Sequence, residues 1–336
     1  MASSVTGDEG APGWTEAVVV EGETSVVRLV APERSTVVGT VTEGGRPLPG
    51  ARVELLSSKE EDEGLPMDLF GGGPGDATGP KGEFRVNDVE VGKYSVQITH
   101  GSRSMTWTGE LDVRSGENRF DVDLPVAILE GTVTGPDGKP LAGVRVQAER
   151  APDDGPEGRS VQRRVMAVFA TDDGDGPEMS FGGGPPTPTV LTDAEGRYRL
   201  RGVLPDVDLI VKAKAPDVQP GRSERVRVAA DQTKSNVDVR LETGGTMEVT
   251  LVRPTGTPAN SCMVVATWDG TGDVEPRSEF SGPKGVVKLS GLKPGRWRVR
   301  VEAFGAAPVG GERSTIPEQT IEVVAGQTAR PRFEVP

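Results

Sequence analysis

The chain repeats one order of strands and turns three times, and this repeat restricts its fold more than any other feature. Each copy opens with a segment in which every second residue is apolar or glycine, and the three segments centre on Gly39, Gly131 and Val249. Alternation at period two places these residues on one face of a strand. A turn rich in proline and glycine then ends the strand, as at 44–50 and 137–143. Such a repeat predicts a row of small modules.

Each copy continues with a second set of strand and turn signals. A hydroxyl residue, a glycine turn and an apolar residue recur at 78–84, 192–198 and 281–287, which predicts a hairpin. Tyr94 and Trp297 follow at matching positions and are predicted to point into the core. Each copy ends in a further predicted hairpin. These closing hairpins are expected at 111–118, 226–233 and 321–328.

The closing pattern occurs a fourth time near the N-terminus, at 17–24. We therefore expect residues 1–32 to be the end of an incomplete module that docks beside the next module, with disorder and pairing between chains as the alternatives. Complete modules are predicted at 33–125, 126–242 and 243–336, the second with a long loop insertion and the third with a degenerate pattern. The joints between them lack a Ser/Gly linker, so we expect a semi-rigid array.

The segment Gly39-Thr-Val-Thr42, the turn at 44–53 and the aromatic strand at 292–299 together resemble the carboxypeptidase regulatory-like domain family. The resemblance extends over nearly all of the chain after residue 34, with a partial match in the third copy. It implies an all-β fold of tandem seven-stranded antiparallel sandwiches, transthyretin-like or Ig-like and of Greek-key type. Members of the family occur beside metallocarboxypeptidase catalytic domains, in outer-membrane receptors and in bacterial surface proteins. The module itself has no catalytic role, so the resemblance implies that this chain is not an enzyme.

Charge and cysteine content exclude several kinds of partner and cross-link. The chain has 51 acidic and 38 basic residues, a formal net charge of -13. Nucleic acids and anionic membranes bind patches of Lys and Arg, so we expect neither as a partner. The single cysteine, Cys262, excludes an intrachain disulfide framework. No apolar segment is long enough for a transmembrane helix, and the first ten residues lack the features of a signal peptide.

The sequence offers few residues for catalysis. His100 is the only histidine and is expected in an exposed turn, and no second histidine or cysteine cluster accompanies it to hold zinc. A G-x-S-x-G nucleophile elbow is also absent. Cys262 aligns with Ala51 and Val144 and is expected to be buried as a small hydrophobic residue. We therefore predict no catalytic residue and no cofactor.

Three aspartates, Asp172, Asp173 and Asp175, are weak candidates for calcium ligands. Their spacing is typical of the centre of an EF-hand loop. However, Thr171 stands at the first ligand position and Gly182 at the bidentate position, where a carboxylate is required. We therefore favour a solvated acidic loop, with calcium binding as the alternative.

The first two modules each carry a long loop with three consecutive glycines, at 66–74 and 177–185. Long loops on a rigid sandwich are common binding sites. The alternative, which we favour, is that each loop folds back over its own sheet edge and protects it from aggregation. The candidate contact residues in these loops are the apolar side chains Met67, Leu69, Phe70, Met179 and Phe181.

Our first interpretation is a non-enzymatic structural or adhesive segment of an extracytoplasmic protein of bacterial type. Such a protein is located at the cell surface, in the periplasm or outside the cell, and its signal peptide is absent from this chain. We expect protein partners or self-assembly through loops or sheet edges, and no membrane insertion. One alternative is an array that binds glycans or calcium, although Trp107 and Trp268 lie in different modules and predict no row of aromatic rings. The other alternative is an accessory segment of a larger enzyme.

Overall fold

The computed structural model describes residues 34–57, 73–151, 188–272, 274–303 and 316–335, together with the backbone of two short strands at 166–168 and 179–181. Within these residues the regular structure consists of strands and turns, which confirms the all-β prediction. The strands form three β-sandwiches in a row, which we call modules 1, 2 and 3. No helix of the described residues is long and apolar enough to span a membrane.

Module 1 consists of two sheets that pack around one apolar core. Its strands are β1 (Arg34–Glu43), β2 (Arg46–Pro47), β3 (Arg52–Ser57), β4 (Gly75–Ala77), β5 (Glu83–Glu90), β6 (Gly92–Thr99), β7 (Trp107–Val113), β8 (Glu117–Arg119) and β9 (Val122–Leu124). In the first sheet, β1 pairs antiparallel with β2 and β5 and parallel with β8 and β9. The second sheet has the order β4-β3-β6-β7 and is antiparallel. Val37 of the first sheet and Val96 of the second lie in the same core.

Module 2 has the same arrangement of sheets. Its strands are β10 (Ala127–Thr134), β11 (Arg145–Arg150), β12 (Met166–Val168), β13 (Met179–Phe181), β14 (Val190–Leu191), β15 (Arg197–Val203), β16 (Leu209–Lys214), β17 (Val218–Gln219), β18 (Gly221–Arg222), β19 (Thr233–Lys234), β20 (Val239–Arg240) and β21 (Glu242–Thr243). One sheet is formed by β15, β10, β19 and β20, and the other has the order β14-β11-β16-β18. Two small pairs, β12 with β13 and β17 with β21, are added to this plan.

Module 3 repeats the plan with fewer additions. Its strands are β22 (Gly245–Val252), β23 (Cys262–Trp268), β24 (Arg277–Phe280), β25 (Val286–Leu292), β26 (Gly295–Ala303), β27 (Gln319–Val323), β28 (Thr328–Ala329) and β29 (Arg332–Glu334). One sheet is formed by β25, β22, β28 and β29, and the other has the order β24-β23-β26-β27.

The hydroxyl residue of the repeated turn signal joins two backbone segments inside each module. Thr192 accepts a hydrogen bond from the Val144 amide at 2.9 Å and donates one to the Leu141 carbonyl at 2.7 Å. Thr78 makes the corresponding pair of bonds in module 1, and Ser281 accepts from the Cys262 amide in module 3. All three hydroxyl residues are buried, so these hydrogen bonds satisfy backbone groups that water does not reach.

The aromatic residues predicted to face the core do so. Tyr94 and Trp297 are buried in modules 1 and 3. Each also hydrogen-bonds a carbonyl four residues earlier: the Tyr94 hydroxyl bonds Glu90 at 3.0 Å, and the Trp297 indole bonds Lys293 at 2.8 Å. Both aromatic rings therefore fill the core and fix the turn before their own strand.

The prediction that each copy closes with a hairpin is wrong. The turn after β7 leads from the second sheet to the first, where β8 and β9 run parallel to β1. Val113 and Leu124, on the two sides of this turn, are both fully buried in the core. A hairpin would place both strands in one sheet and leave the edge of β1 unpaired, which the observed crossing avoids. Modules 2 and 3 close in the same way, with β19 and β20 beside β10 and with β28 and β29 beside β22.

A β-bulge occurs at the same place in each module, where β5, β15 and β25 pair with the first strand and the register shifts. The residue that forms the bulge has a left-handed backbone. It is Asp88 in module 1 (φ 59°), Gly202 in module 2 (φ 68°) and Gly291 in module 3 (φ 67°). The local chain path is thus shared by the three modules although the residue differs.

The module joints as candidate functional site

Most of the loop residues singled out from the sequence lie outside the described residues. This is the case for the apolar Met67, Leu69 and Phe70 and for the acidic Asp172, Asp173 and Asp175. Met179 and Phe181 are the ends of β13, whose backbone pairs antiparallel with β12. The prediction of a contact surface in these loops therefore stays a prediction. Among the described residues there is no group of three or more His, Cys, Asp or Glu placed to hold a metal ion.

His100 is less exposed than the sequence suggested, which corrects the expectation of a free turn residue. Its ring is half-buried, and its two nitrogens lie 3.1 Å from the Pro49 carbonyl and 2.7 Å from the Ser102 hydroxyl. The Ser102 amide also donates to the ring, at 3.2 Å. His100 thus anchors the loop that follows it, which leads to module 2.

Cys262 and the three tryptophans of the described residues pack inside their own modules. Cys262 is buried, and burial raises the pKa of its thiol, against the lowering effect of the Ser281 hydroxyl. Trp107 packs against Phe120 at 6.4 Å between ring centroids. Trp268 meets Trp297 edge to face at 5.5 Å. In the described part of the chain the exposed large hydrophobic side chains are all aliphatic.

The first joint, between modules 1 and 2, is formed by the β6–β7 loop of module 1. Residues 102–105 of this loop, which we call plug 1, reach the bulge of module 2. The Ser104 amide donates a hydrogen bond of 2.6 Å to the Arg201 carbonyl of β15. Arg103 donates to the Pro125 carbonyl at 3.1 Å, in the link between the modules. Backbone and side chain of plug 1 are thus both held by module 2 and by the link.

A buried ion pair lies at the centre of the first joint. The Arg103 guanidinium, with 0% of its side chain exposed, lies 2.7 Å from a carboxylate oxygen of Glu43, whose side chain is 5% exposed. Arg201 of module 2 binds the other oxygen of the same carboxylate. Burial lowers the pKa of Arg103, and its hydrogen bond and charge interaction with Glu43 oppose this effect. Arg103 and Glu43 both belong to module 1, where the buried guanidinium requires its partner, and the contact of Glu43 with Arg201 joins this pair to module 2.

Module 1 also contributes to the core of module 2. Met105 of plug 1 is buried and belongs to the same apolar cluster as Leu129, Tyr198 and Leu200 of module 2. Since a shared core disfavours separation of the two bodies, the first joint is a packed interface.

The second joint, between modules 2 and 3, is formed by the equivalent loop of module 2, between β16 and β18. Residues 217–219 of this loop, plug 2, contain β17, which pairs antiparallel with β21 in the link between the modules. β17 also lies against β25 of module 3. An ion pair of 3.8 Å between Asp217 of plug 2 and Lys288 of β25 joins the same two modules.

A cluster of charges accompanies the second joint. Glu275 of module 3 lies among three cations of module 2: Lys212 bonds one of its oxygens, while Lys214 and Arg222 lie 3.7 Å from its carboxylate. Burial acts to raise the pKa of Glu275, but the hydrogen bond and charge of Lys212, with the charges of Lys214 and Arg222, lower it overall. The side chain of Glu275 is still 46% exposed, so the cluster is open to solvent.

Sequence reasoning missed the residues of both joints. It placed His100 in an exposed turn and gave no role to Arg103 or Met105, although an arginine and a methionine beside Gly101 and Ser102 were a visible signal. The second signal was the glycine shared by modules 2 and 3 at the bulge, Gly202 and Gly291, where module 1 has Asp88.

Comparison with known proteins supports the fold of the middle module most directly. The family model for the carboxypeptidase regulatory-like domain matches residues 128–242. No curated protein matched the chain.

Several solved structures are similar to this chain at low identity. The Streptococcal ancillary pilin is 12% identical, with 90% of this chain and 99% of that chain covered and a TM-score of 0.26. BcpA, the major pilin subunit of Bacillus cereus, is 14% identical, with 90% and 99% covered and a TM-score of 0.23. The Bacillus anthracis TIE protein is 14% identical with a TM-score of 0.23; 90% of this chain is covered but only 51% of that chain, so this chain spans about half of its length. At these TM-scores the matches carry no argument about function.

The family match coincides with module 2, from the first residues of β10 to the start of β21. The repeated turn, the buried Thr192 and the sandwich core within this span are the features that the sequence motifs predicted. Residues 128–242, which form module 2, are therefore similar to the carboxypeptidase regulatory-like domain.

Proposed function

We propose that this chain is a non-enzymatic structural segment of an extracytoplasmic protein, in which docked joints hold consecutive modules in fixed orientations. The observation that carries the proposal is plug 1, which places Met105 in the core of module 2 and Arg103 in a buried ion pair. A linker between independent ligand-binding domains has no need of a shared core, whereas a spacer of defined length has. The plug of module 2 extends the same design to module 3.

The extracytoplasmic part of the proposal rests on the resemblance to domains of bacterial surface proteins. The acidic balance of the chain, with a formal net charge of -13, is consistent with high solubility. Self-assembly or protein partners at the free loops and sheet edges would give such a spacer its attachment points. A ligand-binding array and an accessory segment of a larger enzyme are the alternatives to this proposal.

Distance measurement between spin labels tests whether the joints are fixed. Exposed labelling sites are available in each module at Glu110, Lys234 and Thr328. Each is replaced by cysteine in a Cys262→Ala background, and distances are measured for the 110–234 pair and the 234–328 pair by pulsed electron resonance. Docked joints predict one narrow distance distribution for each pair. Broad distributions for both pairs in the otherwise native chain would contradict the proposal.

A further inference from the structure

The bulge residues of modules 2 and 3 lie directly beneath the plug of the preceding module. A Cβ atom added at Gly202 would lie 2.8 Å from Cγ and 3.0 Å from Cβ of Arg103. A Cβ added at Gly291 would lie 2.3 Å from the carbonyl oxygen of Val218, in plug 2. These distances are shorter than van der Waals contact, so neither position accepts a side chain while the plug is seated.

Module 1 carries a side chain at the equivalent position. Asp88 has the same left-handed backbone as the two glycines, and its side chain is exposed. Its carbonyl accepts a hydrogen bond of 2.9 Å from Arg34 of its own module. The bulge of module 1 therefore has the conformation of a docking position, with an aspartate in the space that Arg103 and Val218 occupy in the other two modules.

We propose that the bulge residue decides whether a module accepts the plug of another module. Glycine leaves the position open, as in modules 2 and 3, and an aspartate, such as Asp88 of module 1, fills it with a side chain. The inference rests on the docked joints of the proposed function and adds the residue that determines where such joints form. Its partner is a short loop of the kind seen here, which lays either a side chain, as Arg103 does, or its backbone, as Val218 does, over the glycine.

The decisive variant is Gly202→Asp, which gives module 2 the bulge residue of module 1. Left-handed backbone is costly for most residues, but Asp adopts it in this chain at Asp88, Asp206 and Asp217. A loss of docking in this variant would thus come from the clash with plug 1 and not from the backbone. We expect the Ser104 amide, bonded to Arg201, to exchange at least about tenfold faster and the 110–234 distance distribution to broaden.

Two control substitutions separate the docking effect from the chemistry of the change. Gly138 also has a positive φ and has no neighbouring atom within 4 Å of an added Cβ, so Gly138→Asp makes the same change in open space. We expect it to leave Ser104 exchange and both distance distributions unchanged, as we expect for Asp88→Gly. Gly291→Asp repeats the test at the second joint, where the 234–328 distribution should broaden while the 110–234 distribution stays narrow.

The outcomes distinguish this inference from the proposed function. Broad distributions in the native chain contradict the proposed function itself. Narrow distributions in the native chain that stay narrow in Gly202→Asp, with Ser104 still protected, overturn the inference alone. Loss of amide protection throughout β10 and β15 in Gly202→Asp would also overturn it, because the glycine would then serve the fold of its own module.

Discussion

The two joints hold consecutive modules together through different interactions. At the first joint an ion pair is buried, with Arg103 0% and Glu43 5% exposed, and Met105 enters the core of the next module. At the second joint the contacts are a short backbone pairing, β17 with β21, and a charge cluster around the half-exposed Glu275. Buried interactions are little screened by solvent, whereas exposed ones are weak and sensitive to salt. The comparison predicts a first joint that is less sensitive to salt and pH than the second.

The largest expected effect is at Glu43. Replacing Glu43 by Ala leaves Arg103 buried without its counter-ion, which should destabilise the first joint by about 3 kcal/mol. Amide exchange at Ser104 measures this as the free energy of local opening. Glu117, an exposed acid of the same module that pairs with Arg85, is the matched control and should have no effect when replaced by Ala. A Glu43→Leu/Arg103→Met pair should recover most of the loss, and an equal loss in the pair would show that the unpaired charge of Arg103 is not its cause.

Met105 tests whether the core is shared. The change Met105→Ala should destabilise module 2 by about 2 kcal/mol, because it opens a cavity in the cluster around Leu129 and Leu200. Because Met105 belongs to a loop of module 1, the module that loses stability shows which core the side chain serves. Exchange of the β10 amides should accelerate while that of the β6 amides stays as it was. Acceleration confined to β6 would mean that Met105 serves its own module.

His100 tests how plug 1 is anchored. His100→Ala removes the bonds to the Pro49 carbonyl and the Ser102 hydroxyl, and we expect a loss of about 1 kcal/mol. Replacing an ordinary exposed turn residue by alanine lowers stability by less than about 0.5 kcal/mol. An exposed turn, as expected for His100 from the sequence, would give this smaller loss. Thr255→Ala, in an exposed turn of module 3, is the comparison variant. Exchange at Ser104 should distinguish them, and equal values for both variants would restore the original expectation for His100.

Lowering the pH should weaken the second joint, and this is the smallest of the four expected effects. The pKa of Glu275 is lowered in the folded chain, so its stabilisation is present above its ordinary pKa of 4.5 and is lost as the pH falls below that value. Because Glu275 is nearly half exposed, the effect should stay below about 1 kcal/mol. We expect the 234–328 distance distribution to broaden as the pH falls from about 5 to about 3. In a Glu275→Gln chain the pH dependence should disappear; if it persists, another group is responsible.

Local pattern was sufficient for the modules but not for their closure. Alternation and turn chemistry predicted strands such as β1 and β10 and the buried positions of Thr78 and Tyr94, because these features depend on residues close in sequence. The closing turn was misread for a physical reason. Alternation on both sides of Gly116 is the same whether the next strand stays in its sheet or crosses to the other, so only tertiary contacts decide.

The joints were not predicted because the sequence signals, Arg103, Met105 and the bulge glycines, gain a meaning only from a contact between modules. Arg103 and Met105 look like solvent-exposed loop residues until module 2 is placed beside them. Gly202 has the same local conformation as Asp88, so periodicity gives no reason to distinguish them. The difference between the two residues matters only because plug 1 lies against Gly202, which a side chain at that position would prevent.

The parallel pairing of the first and last strands has a mechanical consequence. Parallel neighbours begin at the same end of a sheet, so the chain enters each module at one end and leaves it at the other. Tension along the chain then pulls β1 and β9 in opposite directions along their length. The hydrogen bonds between these strands bear the load together rather than one after another. Each module should therefore resist stretching until the whole ladder shears at once.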